Sequence, residues 1–207
     1  MGIAMSLNSL GVVANDQGDY QTARALYEES LALKREMGDK RGISIALGNL
    51  GVLAQYQGDF TAARTLYETS LMLNREMGDK QGIAILLLNL GELAIEQGDP
   101  MTAQALYVES LSLCHEIGDK INMVCNLSGM AAVVADMSDL SRATRLAAAA
   151  ETLRLSVGVA REPVEGRIYE HAVASARAGL SEVAFRAAWA EGEQMSLNEA
   201  VNYALTA

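Results

Sequence analysis

Few side chains in this sequence are equipped for chemistry. The 207 residues hold two histidines, His115 and His171, and two cysteines, Cys114 and Cys125, with no CxxC pair. A metal site built from Cys114, His115 and Cys125 needs faces of separate segments to converge, and no ligand-spaced motif brings them together. Glu92 and Glu96 stand one helical turn apart, where a general acid and base could sit. No apolar pocket or third group accompanies them, so solvated carboxylates are expected. The tripeptide Gly-Asp-Lys occurs at 38–40, 78–80 and 118–120. No GxxxxGK[ST] pattern surrounds it and no strand leads into it, so it reads as a turn rather than a phosphate loop. No catalytic residue, metal ligand or cofactor is assigned.

A catalytic loop is written once, whereas this turn is written repeatedly. "REMGDKRGI" at 35–43 returns as "REMGDKQGI" at 75–83 and as "HEIGDKINM" at 115–123. A shift of about forty residues superposes much of the chain on itself, a period that marks helical repeat arrays. Gly11 falls on Gly51 and Gly91, Ala23 on Ala63, Ala103 and Ala143, and Leu26-Tyr27 on Leu66-Tyr67 and Leu106-Tyr107. The fourth copy has diverged: Ala131 replaces the glycine, Ala147 the tyrosine, and Ser138-Asp139 a Gly-Asp pair.

Each Gly-Asp pair is a helix stop followed by a helix start. Glycine takes the left-handed conformation that ends one helix, and aspartate caps the next. In the second copy this predicts helices over roughly 39–56 and 60–77. Leu47, Leu50, Gly51 and Ala54 form one stripe, faced by Ala63, Leu66, Tyr67, Ser70, Leu71 and Met77. Gly51, Ala63 and Ser70 let the two axes approach closely.

Composition agrees with a helical protein: half the residues are hydrophobic, a fifth are charged, and only two are proline. The net charge of −10 argues against nucleic-acid contact, which needs clustered cations. Arg24, Lys34, Arg35, Arg64, Arg75 and Lys80 alternate with glutamates on second helices and turns, as expected of an ion-paired outer surface. The absence of a disulfide framework, a signal peptide or a membrane-length apolar run points to a reducing, cytoplasmic setting.

Leu7, Leu10, Gly11, Ala23, Tyr27 and Ser30, with their later copies, resemble the tetratricopeptide (TPR) consensus. The longer period and "SLALKREMGDK" are similar to the forty-residue repeats of kinesin light chains and polarity scaffolds, and to the C-terminal arms of bacterial LuxR-type, ATPase-linked regulators. The tail "RLAAAAETLRLSVGVAREPVEGRIYEHAVASARAGLSEVAFRAAWAEGEQMSLNEAVNYAL" resembles the segment that closes such regulator arms. The resemblance implies an all-α, right-handed TPR superhelix of about four repeats (1–40, 41–80, 81–120, 121–160), capped by helices over 161–207. It implies a non-catalytic protein- or peptide-binding module in a transcriptional regulator. The first helix of each pair would then line the binding face.

On that mapping Asn8, Asn15, Asn49, Gln55, Tyr56, Asn89, Glu92, Glu96 and Asp136 form the groove. Ser9, Val12, Asp16, Val52, Leu88, Ile95, Ser128 and Ala132 accompany them. Asn49 and Asn89 sit where related proteins hold an extended peptide by its backbone. No inward position is Lys or Arg, so the carboxylate-clamping subtype does not apply, and a neutral or basic partner fits better. A small-molecule effector is the alternative ligand, with Tyr56 as its aromatic contact.

The tail residues predict three helices: one begun by Pro163 and ended by Gly179, one capped by Ser181 that buries Phe185 and Trp189, and one opened by a Ser196–Glu199 capping box. At the other end, Met1-Gly2-Ile3 aligns with Arg41-Gly42-Ile43, with no Gly-Asp before it. This suggests a piece of a longer array, or a homodimer through the uncapped N-terminal repeat.

Overall fold

The computed structural model describes residues 2–206, all of whose regular structure is helical. The helices are α1 (Gly2–Asp16), α2 (Tyr20–Glu36), α3 (Lys40–Tyr56), α4 (Phe60–Met77), α5 (Lys80–Glu96), α6 (Pro100–Ile117), α7 (Lys120–Asp136), α8 (Leu140–Val157), α9 (Pro163–Gly179), α10 (Glu182–Glu193) and α11 (Leu197–Leu205). Those of the second copy lie where the punctuation places them. Met1 falls outside the described residues.

The Gly-Asp pairs work as their chemistry dictates. Asp19, Asp39, Asp59, Asp79, Asp99, Asp119 and Asp139 each accept a hydrogen bond from the backbone N–H three residues on, at 2.9–3.2 Å. The preceding glycines adopt positive φ, and Ser138 keeps that conformation, at φ 69°, without the freedom of glycine.

Packing between paired helices explains why the fourth copy changed at two positions together. A Cβ on Gly11, Gly51 or Gly91 would stand 2.5–2.7 Å from the ring of Tyr27, Tyr67 or Tyr107 respectively. Each glycine is thus the seat of a tyrosine, and Ala131 could appear because Ala147 carries no ring. Burial of a large apolar side chain such as Leu53 or Leu93 contributes about 1.5–3 kcal/mol, so such stripes hold the pairs together.

Buried hydroxyls and amides tie the second helices α2 and α4 to the first helices of their pairs. Ser30 donates to the Ala4 carbonyl at 2.8 Å, Ser70 to the Ser44 carbonyl at 2.8 Å, and Asn74 to the Ser44 hydroxyl at 2.7 Å. Lys34 corrects the outer-surface expectation. Its side chain lies beneath Gly42, is almost fully buried, and pairs with Asp39 at 2.6 Å. Asn74 and Cys114 take the equivalent buried position in the next two copies.

The chain divides into two compact units, one up to Asn89 and one from Leu90 to the C-terminus. In the second unit α9 packs on α7 and α8, α10 on α8, and α11 on α6, α7 and α8. Gly192 sits directly on the α8 backbone at Arg145, and Arg142 donates to the carbonyls of Tyr203 and Ala204. Pro163 opens α9, Ser181 caps α10, and the capping box opens α11 as expected. α9 ends at Gly179 as expected, with Leu180 extended after it, and Gly179 gives room to Leu140. One detail differs. Phe185 is buried, but Trp189 is only half-buried, stacked on Phe185 with centroids 5.5 Å apart.

Candidate functional site

The row of first-helix positions assigned to binding has a different character in each unit. In the first unit it is largely open. Met5 and Ile45, at equivalent places in α1 and α3, are 59% and 50% exposed, and Val12 is also exposed. Asn49 donates from Nδ2 to Asn8 Oδ1 at 2.9 Å, so two of the predicted residues meet across the α1–α3 seam. Tyr56 packs at an angle against Tyr20, with ring centroids 6.3 Å apart. Asn89 is half-buried on α5.

Two assignments in this unit are corrected. Gln55 does not face the groove: it is 4% exposed, and its amide oxygen accepts from the Tyr67 hydroxyl at 2.8 Å. Asn15 occupies the same position one copy earlier, and its Oδ1 is likewise buried. Both point between the helices of a pair, one residue short of the row that Asp16 and Tyr56 occupy.

In the second unit the row is covered. Ser128 and Ala132 are buried, against the expectation of an open groove, because α9 lies on them. Ser128 donates to Glu165 Oε1 at 3.0 Å, and the Cys125 thiol faces Glu165 Oε2 at 3.8 Å. At the rim Arg167 pairs with Glu96 at 2.5 Å, and His171 Nε2 meets Asp136 at 2.6 Å. Two acids read as contacts for a basic ligand are therefore met by the chain's own Arg167 and His171. These two pairs border a cleft of about 480 Å³, whose apolar walls are Ile95, Pro100 and Ile168.

The electrostatics of this seam follow from burial. Glu92 is held protonated up to about pH 8, first by desolvation and then by the charges of Glu165, Glu96 and Glu162, with Arg167 opposing. Desolvation also raises Glu165, while Ser128 and Arg161 pull it down. Burial pushes the Cys125 thiol up strongly, the opposite of what a nucleophile requires. Cys114 is raised to about 11 by the same cause. Glu151 is lowered to about 2, chiefly by its hydrogen bonds from Arg154, with Arg161 adding. Among the described residues, no three of His, Cys, Asp and Glu gather as a metal site would require. Nor is any described helix long and apolar enough to cross a membrane.

The resemblance read from Gly11, Ala23 and Tyr27 is met by direct comparison. Models of the tetratricopeptide repeat match residues 2–76 and 84–109. These stretches are TPR repeats. No match is found among curated proteins. Among solved structures, the crystal structure of BtubC (BKLC) from P. vanneervenii superposes with a TM-score of 0.69. It is 18% identical, and the match covers 95% of this chain and 80% of that one. At that identity the likeness is one of fold, and the fold is all-α with TPR helix pairs, as the sequence implied. TPR repeats are a protein-interaction architecture. They carry no catalytic machinery of their own.

α9, expected among the helices that cap the array over 161–207, packs on α7 and α8 and brings Glu165, Arg167 and His171 to the first-helix row. A signal existed in α7, where the row Cys125, Ser128, Ala132 is small in side chain compared with Ile85, Leu88, Glu92.

Proposed function

We propose that this chain is a protein- or peptide-binding module whose contact surface is the first-helix row of the first unit, and that it serves as the regulatory or sensor arm of a cytoplasmic bacterial transcriptional regulator. The observation that carries the reading is the juxtaposition of exposed Met5, Val12 and Ile45 with the Asn8–Asn49 amide pair. Exposed apolar side chains at helical spacing beside a polar anchor suit a partner that buries part of its own surface. A neutral or basic partner is favoured by Asp16 on this row and by the net charge of −10. The regulator context rests on the resemblance of the tail.

Site-specific photo-crosslinking tests the surface. A benzophenone side chain at position 45 should capture a defined partner in cells, and one at exposed Met72 on α4 should not. Equal capture at both positions, or none at 45, removes the first-helix row as the contact surface.

A small-molecule effector is the second reading, and the Tyr20–Tyr56 pair is what favours it, since two converging rings are the start of an aromatic pocket. Self-association is a third. Ile3, Leu10 and Val13 are exposed on one side of α1, whereas Leu50 and Leu53, the later copies of Leu10 and Val13, are buried.

A further inference from the structure

Three first helices leave the same position open, and the fourth does not. Met5, Ile45 and Ile85 are 59%, 50% and 37% exposed. Their counterpart Cys125 lies against Glu165 of α9. Glu165 also takes the Ser128 hydroxyl, and farther along both helices His171 meets Asp136. Since residue numbers rise together on the two sides of the seam, α9 runs in the same sense as α7. It lies along the row that a ligand would use.

The seat is imperfect. Arg161 keeps Nε and Nη2 buried without a hydrogen-bond partner, and the Tyr107 hydroxyl is buried in the same condition. Glu92 is an acid raised by its burial within the seam and then by the charge of Glu165. Buried polar groups left unsatisfied subtract from the stability of the contact that buries them. The rim pairs Arg167–Glu96 and His171–Asp136 are partly solvated and return little. α10, by contrast, closes a glycine onto the α8 backbone.

We propose that α9 is a tethered occupant of a helix-binding surface. The surface is the row Cys125, Ser128 and Asp136, with Glu96 beside it. A partner helix with the pattern of α9 displaces it: a carboxylate, a cation two residues on, an apolar residue at the third, and an imidazole at the sixth. Those are the places of Glu165, Arg167, Ile168 and His171. A helix suits this row better than an extended chain, because its backbone is already satisfied and side chains alone need matching. The surface belongs to the second unit and is independent of the first-unit row.

The two cysteines supply the test in the whole chain. Cys125 is half-buried against Glu165 of α9, and Cys114 is fully buried elsewhere in the same unit. In the variant carrying Arg167→Glu and His171→Ala, maleimide labelling of Cys125 should accelerate by about tenfold while Cys114 stays protected, as local opening requires. A fluorescent synthetic peptide of residues 161–180 should bind this variant about tenfold more tightly than the unaltered chain, and should restore the protection of Cys125. Unchanged labelling of Cys125, or a peptide that fails to protect it, overturns the proposal. If both cysteines open together, His171→Ala alone is measured in the same way, and joint opening there also overturns it. A failed crosslink at position 45 would leave this result untouched.

Discussion

Replacing Gln55 by Leu should cost this protein far more than a change at a half-polar helix end ordinarily does. The Tyr67 ring is completely buried, seated on Gly51, and its hydroxyl reaches the Gln55 amide oxygen at 2.8 Å. Leu fills much the same volume but accepts no hydrogen bond, so the hydroxyl loses this acceptor. Removing one partner of a buried hydrogen bond costs about 1–3 kcal/mol, whereas replacing both by apolar groups can be nearly neutral. In a chain of this size each kcal/mol lowers Tm by about 2–4 °C. The third copy contains the comparison already: Ile95 stands where Gln55 would be, and the Tyr107 hydroxyl is buried without a hydrogen-bond partner. Tyr107→Phe should therefore be neutral or stabilising, Tyr67→Phe destabilising, and Tyr67→Phe should recover much of the loss caused by Gln55→Leu. Urea unfolding followed by far-UV circular dichroism gives the four free energies. The reasoning fails if Gln55→Leu is neutral, or if Tyr107→Phe costs as much as Tyr67→Phe.

Three further outcomes follow from single sites. Ser138→Gly removes a side chain from a left-handed position at φ 69° and should raise stability by about 0.5–1 kcal/mol in the same unfolding assay. Asp39→Ala takes away both the α3 cap and the partner of buried Lys34, so a loss of about 2–4 kcal/mol is expected; Lys34→Met added to it should restore a good part. Glu92 has a folded pKa of about 8, above its unfolded value, so the folded state binds the proton more tightly. Its contribution to stability is complete below the ordinary carboxylate range and is lost as pH rises toward 8. Glu92→Gln should flatten that decline between pH 5 and pH 8, and an unchanged slope would show that Glu92 is not the group responsible.

The helices were legible because this sequence repeats its punctuation. One Gly-Asp pair is a weak signal, but the same pair at 18–19, 38–39, 58–59, 78–79, 98–99 and 118–119 fixes boundaries to within a residue. At the exception, Ser138-Asp139, the chain turns as if glycine were present. What repetition could not show is direction within a helix pair. Gln55 and Tyr56 are adjacent and both polar enough to line a groove. Only the tyrosine twelve residues later decides between them, because its hydroxyl needs the amide. Lys34 escaped for a related reason. Its neighbours are charged, and nothing local reveals that Gly42 leaves space for its stem.

The candidate surface was half legible for a reason that lies in α9. Superposing copies assumes that the same position meets the same surroundings. That assumption holds between copies and ends where a non-repeating segment returns to cover one of them. The sequence marks the place by loss of bulk. Where the third copy has Ile85, Leu88 and Glu92, the fourth has Cys125, Ser128 and Ala132, and Ser128 is matched to a carboxylate forty residues of sequence cannot connect by period. Small side chains on an outward row are unfavourable for a surface that binds by burying its own apolar groups, and favourable for one against which another helix must close. The row thus carries two designs. In the first unit, bulky Met5, Val12 and Ile45 remain exposed beside an amide pair; in the second, small residues admit α9. A chain whose repeats differ in this way leaves one row open and covers the other.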